Sequence, residues 1–170
     1  AHTPAVVETN GLRVAYFAYT NIAPAFYQQS DSEPAVANIS IEAVTEDIAR
    51  AKSAYGADVV VVSYHWGEEY ATKHNAWQER IAHATIDAGA NLVIGHHPYV
   101  VEEVEQYNGG VIAYSLGNFI FDQNFSPDTA KGLALRVSIK DGAITGMEEL
   151  SVSFTKTYQP FWNTASITAH

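Results

Sequence analysis

The sequence contains no cysteine, which excludes disulfides, zinc–thiolate sites and thiol nucleophiles and leaves the redox compartment open. It is also short of charge. Only 16% of residues are charged, and 9 lysines and arginines face 19 aspartates and glutamates. The resulting net charge of -10 argues against nucleic acid or an anionic membrane surface as partner, since both reward basic clusters. An acidic protein that handles an anionic ligand needs metal ions to offset the repulsion. No apolar run approaches the ~20 residues that span a bilayer. No signal peptide is recognisable, and the chain opens on Ala1 rather than methionine, so sequence upstream is expected to be missing. There is no Gly-x-Gly-x-x-Gly, no P-loop and no serine elbow; Ser115, in YSLGN, lacks the flanking glycines. Metal-assisted chemistry is the enzymatic option that remains.

What is present amounts to one domain: 170 residues, 47% of them hydrophobic, enough to bury a core. Residues 11–20 read as a strand opened by the turn pair Asn10-Gly11. Residues 21–38 hold two prolines and read as an irregular loop anchored by Phe26 and Tyr27. Ile41, Val44, Ile48 and Ala51 recur at helical spacing, with acids early, bases late and Gly56 as the stop. The run Val59–Val62 has the continuous β-branched character of a strand buried on both faces. Asn75 is the expected N-cap of a second helix, with Trp77, Ile81, Ala84 and Ala88 on its inner face and Gly89 at its end. A second buried strand, NLVIG, runs into His96-His97-Pro98, where Gly95 is expected to let the chain turn and Pro98 to stiffen the exit. The middle of the chain is therefore a parallel βαβ unit with a right-handed crossover. Strands follow at 100–107, 110–115, 133–139 and 144–154, the last two joined through the hairpin signal Asp141-Gly142. The fold class is α/β, turning to antiparallel β. Residues 1–155 form the domain and 156–170 an irregular C-terminal arm.

In open α/β sheets, ligands bind beyond the carboxyl ends of the strands. Two strands end there in histidine: one at His65, the other at His96-His97. If they are neighbours, the imidazoles converge on one crevice as neutral nitrogen ligands suited to zinc, iron or nickel; manganese prefers more oxygen. His74 and His83, near the second helix, read as ordinary hydrogen-bonded residues. Glu68 and Glu69 follow His65 and admit three roles: metal ligand, general acid or base, or solvated loop charge. Asn118, in SLGNFIFD with Asp122, fits a tight turn as well as a substrate contact. Trp66, Trp77 and Trp162 read as core or rim aromatics rather than sugar platforms.

Three segments, SYHWGEEY at 63–70, IGHHPYVV at 94–101 and YSLGNFIFDQ at 114–123, resemble in order and spacing the conserved blocks of the bacterial capsule-synthesis (poly-γ-glutamate, CapA) family. The resemblance extends over about residues 5–155. That family resembles the calcineurin-like metallophosphoesterases, whose fold is a four-layer α/β/β/α sandwich with two metals at strand ends. The resemblance implies that His65 is the isolated histidine ligand and Gly95-His96-His97 the terminal histidine motif. It implies divalent manganese, iron or zinc, two ions in the complete domain. Two departures stand out. The early Asp/His and Asn motifs are absent, so the chain is expected to be the C-terminal half of the domain, with the N-terminal half as a missing partner. Tyr99 also stands where the family commonly has the last histidine of Gly-His-His-Pro-His.

The expected activity is metal-dependent hydrolysis or transfer at a phosphoryl or acyl centre, by a water that the metal acidifies. His65, His96 and His97 would hold metal, Glu68 or Glu69 would move a proton, and Asn118 would orient substrate. By resemblance, the work is done outside the cytoplasm, at the cell envelope, on an anionic surface polymer or its precursor. The alternative is a non-catalytic polymer-binding or assembly subunit with a decayed metal site. Half a sandwich would expose strand edges and an apolar face, which predicts a homo-oligomer.

Overall fold

The computed structural model describes residues 2–22 and 35–169, with the side chains of 164–169 left aside. Most of the loop expected at 21–38, including Phe26 and Tyr27, lies outside the described residues. Among the described residues, two helices and nine strands form a helical layer, a central six-stranded sheet and a three-stranded sheet.

The central sheet has the order β1-β2-β3-β4-β6-β5. β1 (Ala5–Thr9) and β2 (Leu12–Thr20) form a hairpin closed by Asn10-Gly11, both at positive φ. The same two-residue solution, Asn108-Gly109, joins β5 (Val104–Tyr107) to β6 (Gly110–Ala113). These primed turns match the right-handed strand twist, and Asn-Gly pairs adopt them most cheaply. β2, β3 (Val59–His65), β4 (Leu92–His96) and β6 run parallel. The valine run of β3 is buried on both faces, as its composition demands. Val60, Val62 and Tyr64 face the helices with Ala15, Phe17, Val93, Ile112 and Tyr114. Val59 and Val61, with Val14, Leu92 and Val111, face Met147 and the second sheet.

Helix α1 (Ile41–Tyr55) is capped by the Ser40 side chain and ends on left-handed Gly56. Its stripe Val44, Ile48 and Ala51 is buried as the spacing predicts. α2 (Ala76–Asp87) starts in a capping box between Asn75 and Gln78. Its buried stripe is Gln78, Ile81, Ala82, Thr85 and Ile86, whereas Trp77, Ala84 and Ala88 are only half-buried. The helix is turned about one position from the hydrophobic reading because two polar side chains find buried partners. Thr85 pairs with Tyr64 Oη at 2.6 Å, and Gln78 with Glu102 at 2.9 Å.

The second sheet is the antiparallel β7-β8-β9. β7 (Lys131–Lys140) and β8 (Ala143–Phe154) are joined by Asp141-Gly142. The irregular arm expected at 156–170 is corrected by β9 (Pro160–Ala169), which pairs with β8 over 160–162 and 167–169, either side of a register shift. Its first residues, PFW, show no alternation of apolar and polar residues, whereas 164–169 (TASITA) alternate, a strand signal that the reading of an irregular arm overlooked.

Candidate metal centre at the strand ends

β3 and β4 are adjacent and parallel, and their register sets His65 beside His96. The two strand ends expected to be neighbours are neighbours. The backbone frame continues past them: Trp66 N–H donates to the His96 carbonyl at 3.0 Å, and Tyr70 N–H to the Pro98 carbonyl at 2.8 Å. Trp66 is fully buried and its indole donates to the Tyr114 carbonyl at 2.9 Å, which fixes the loop after β3 to the end of β6. Trp66 is thus a core residue, and Trp77 meets its ring edge-on at 6.2 Å.

Gly95 is needed for a different reason from the one its sequence position implies. It lies within β4 and does not adopt positive φ. A Cβ there would sit 1.7 Å from the Tyr114 carbonyl oxygen and 2.5 Å from the Trp66 indole nitrogen, so glycine permits close approach of β4 and β6. The turn is made by His97 and Tyr99, at φ 102° and 63°. Such values are costly for residues with a Cβ and collect at functional sites.

The His65 and His97 rings lie 4.8 Å apart, centroid to centroid. Loss of water contact holds the His65 imidazole below its ordinary pKa, and the nearby His97 adds to this. His96 is lowered by the same desolvation and then by His65. His65 and His96 therefore sit in surroundings that favour the neutral, ligating imidazole. His97 Nδ1 is buried without a hydrogen-bond partner. The other buried side-chain atoms without partners among the described residues are Glu102 Oε1 and Gln123 Oε1, in the segments that follow β4 and β6. A buried imidazole nitrogen left without a partner beside His65 marks a place that expects another group.

The imidazoles suit a metal as neutral nitrogen donors, but they supply only part of a coordination shell. Among the described residues, no three His, Asp or Glu side chains are arranged to hold an ion. Glu68 and Glu69 are exposed on the loop after His65. Asn118 is buried and donates its side-chain amide to the Thr129 carbonyl at 3.0 Å, closing the loop between β6 and β7. His74 and His83 have structural partners: His74 stacks on Tyr114 and contacts Glu103 at 3.2 Å, and His83 stacks on Tyr107 and contacts Glu105 at 3.0 Å.

Two features escaped the sequence. One is the buried Gln78–Glu102 pair, for which the capping position of Gln78 was the only signal. The other is a group of aromatic rings beside His97, formed by Tyr70, Tyr99, Phe121 and Phe125; its signal was the density of Phe and Tyr in the motif-bearing segments.

Comparison with known proteins places these features in a family. The PGA biosynthesis protein CapA of Bacillus subtilis is 41% identical over 119 residues, covering 70% of this chain and 31% of that protein. The capsule biosynthesis protein CapA of Bacillus anthracis is 40% identical over 119 residues, covering 69% and 29%. The chain thus spans about a third of the length of these relatives. In fold it is similar to the Thermus thermophilus sulfate thiohydrolase SoxB, with a TM-score of 0.53 at 15% identity over 86% of this chain and 24% of that one, in keeping with the expected α/β architecture. The model of the bacterial capsule synthesis protein family PGA_cap matches residues 1–123, and the chain belongs to that family.

Proposed function

We propose that the chain contributes His65, His96 and His97 to a divalent-metal centre that serves hydrolysis or transfer at a phosphoryl or acyl group during capsule synthesis outside the cytoplasm. The observation that carries this is the parallel register of His65 and His96, with the His97 ring against His65 and its Nδ1 unpartnered. A metal there would polarise the reacting centre and lower the pKa of a bound water. The chain's own residues would hold His65 and His96 below the ordinary imidazole pKa and set them side by side through strand register, and Glu68 or Glu69, in the loop after His65, would carry a proton. Asn118 contributes by tethering the 118–129 loop. Carboxylate ligands would come from outside the described residues, and the ligand handled would be an anionic surface polymer or its precursor.

The test is elemental analysis with manganese, iron and zinc titration of the purified chain and of His65→Ala and His96→Ala. Binding in the wild type and its loss in both variants is the expected result. Metal retained in both variants would remove the histidines from the site. A non-catalytic assembly role is favoured by one observation, the absence of a three-ligand cluster among the described residues. In that case, metal would fail to bind even with relatives' upstream sequence restored.

A further inference from the structure

Next to the histidines the surface is aromatic. The His97 and Tyr99 rings are 5.6 Å apart, and Tyr99 stacks at 5.8 Å on Tyr70 to one side and Phe121 to the other. Phe125 meets Tyr70 edge-on at 5.2 Å. These rings come from three loops, each following a parallel strand: 66–70 after β3, 97–99 after β4 and 119–125 after β6. Strand order, not sequence proximity, assembles them. Yet they are not core. Tyr70, Phe121 and Phe125 are 42%, 43% and 66% exposed, an unusual concentration of apolar rings facing water.

The chemistry around the rings narrows what they would hold. The stretches 66–70, 97–99 and 119–125 carry Glu68, Glu69 and Asp122 and no lysine or arginine; Lys73 follows Tyr70 by three residues. Lys156 lines a cleft together with Phe121 and Gln123, so the carboxylates outnumber the cations around the rings. Carboxylates repel an anionic chain but accept hydrogen bonds from hydroxyls. The planes of Tyr99 and Phe121 differ by 15° and those of Tyr70 and Tyr99 by 30°, while Phe125 stands at 81° to Tyr70, so three rings share one orientation and the fourth rises as a wall beside them. A flat face of C–H groups edged by hydroxyls meets both demands, and a pyranose has that face.

We propose that Tyr70, Tyr99, Phe121 and Phe125 form a subsite for a neutral sugar ring, flanking the histidine centre. That the sugar belongs to a ligand whose reacting group meets the histidines rests on the metal-centre proposal; sugar binding itself does not. The test therefore uses the chain in chelator without metal. Saturation-transfer NMR would be recorded with the methyl pyranosides of glucose, galactose and N-acetylglucosamine, and with tetramethylammonium and a γ-glutamyl oligopeptide as competitors. Expected is saturable binding of at least one glycoside, weakened about tenfold or more in Tyr70→Ala and Phe125→Ala, retained in Tyr70→Phe and in His65→Ala. The proposal is overturned if no glycoside binds, if the alanine variants bind as well as the wild type, or if tetramethylammonium or the peptide displaces the glycoside from the rings. Because His65→Ala is read separately for metal and for sugar, failure of one proposal does not mimic failure of the other.

Discussion

Gln78 donates its side-chain amide to Glu102 across 2.9 Å while its own oxygen accepts from the Asn75 backbone N–H at 2.9 Å. One buried side chain thus ties the cap of α2 to a carboxyl beneath the histidine-bearing loops. Gly67, at φ 87°, passes so close that a Cβ would lie 2.9 Å from the Gln78 amide and 3.2 Å from Pro98. Burial pushes the Glu102 carboxyl up to about 7; the Gln78 hydrogen bond opposes this, Glu103 adds to it, and His74 opposes it.

A carboxyl whose folded pKa lies above its unfolded value takes up a proton on folding. Its burden on stability is absent at low pH, grows as pH rises from the unfolded value toward about 7, and is complete above that. Glu102→Gln is therefore expected to stabilise the protein at pH 8 by up to about 3 kcal/mol and to change little at pH 4. Urea midpoints of both proteins across that range check it; an equal shift at both ends would mean that the Glu102 pKa is not raised on folding.

The histidines have the opposite dependence. His65 and His96 are held below the ordinary imidazole pKa, first by desolvation and then by a neighbouring histidine. Their contribution to stability is complete above the unfolded value of about 6.5 and is lost as pH falls below it. In metal-free protein, NMR titration should find both below that value. His65→Asn should raise His96, because a competing charge is removed. An unmoved His96 would mean that desolvation alone sets its pKa.

Gly95→Ala is expected to destabilise the protein by at least ~3 kcal/mol, since a backbone carbonyl rather than a flexible side chain blocks the added methyl. The blocking atom would be 1.7 Å away. Thermal unfolding measures this. A wild-type melting temperature would show that β4 and β6 separate at no cost.

Asn118→Ala separates a tether from a ligand contact. The amide holds the Thr129 carbonyl from a buried position, so its loss should cost ~1–3 kcal/mol and speed hydrogen exchange over residues 118–131. Metal affinity should stay unchanged. A fall in metal or ligand affinity at full stability would instead place Asn118 in the site.

Much of the fold could be read from the sequence because local and tertiary demands agree there. The valine run of β3, the α1 stripe and the Asp141-Gly142 hairpin each have a single good solution, and the convergence of His65 with His96 follows once β3 and β4 pair. What stayed hidden depended on partners. β1 carries little pattern of its own and is made a strand by the neighbour it pairs with, while the alternation at 164–169 of β9 is short and set apart from the rest of its strand. The rotation of α2 turns on Gln78 and Thr85, polar residues that periodicity assigns to water but that Glu102 and Tyr64 draw inward. The turn at His97 and Tyr99 was hidden behind Gly95, the residue whose type advertises a turn. The aromatic terrace needed strand order before 66–70, 97–99 and 119–125 could be seen as one surface.

The register of β2, β3, β4 and β6 is written in backbone hydrogen bonds, whereas His97, Glu68, Glu69 and the aromatic rings hang on the loops beyond their ends. Frame and recognition are in that sense inherited separately. Substitutions in those loops can respecify what is bound while the ladder that aims His65 and His96 stays untouched. Gly95 is where the two inheritances meet. Every step away from glycine adds at least one carbon where there is no room, so lineages can explore widely around this residue but not through it.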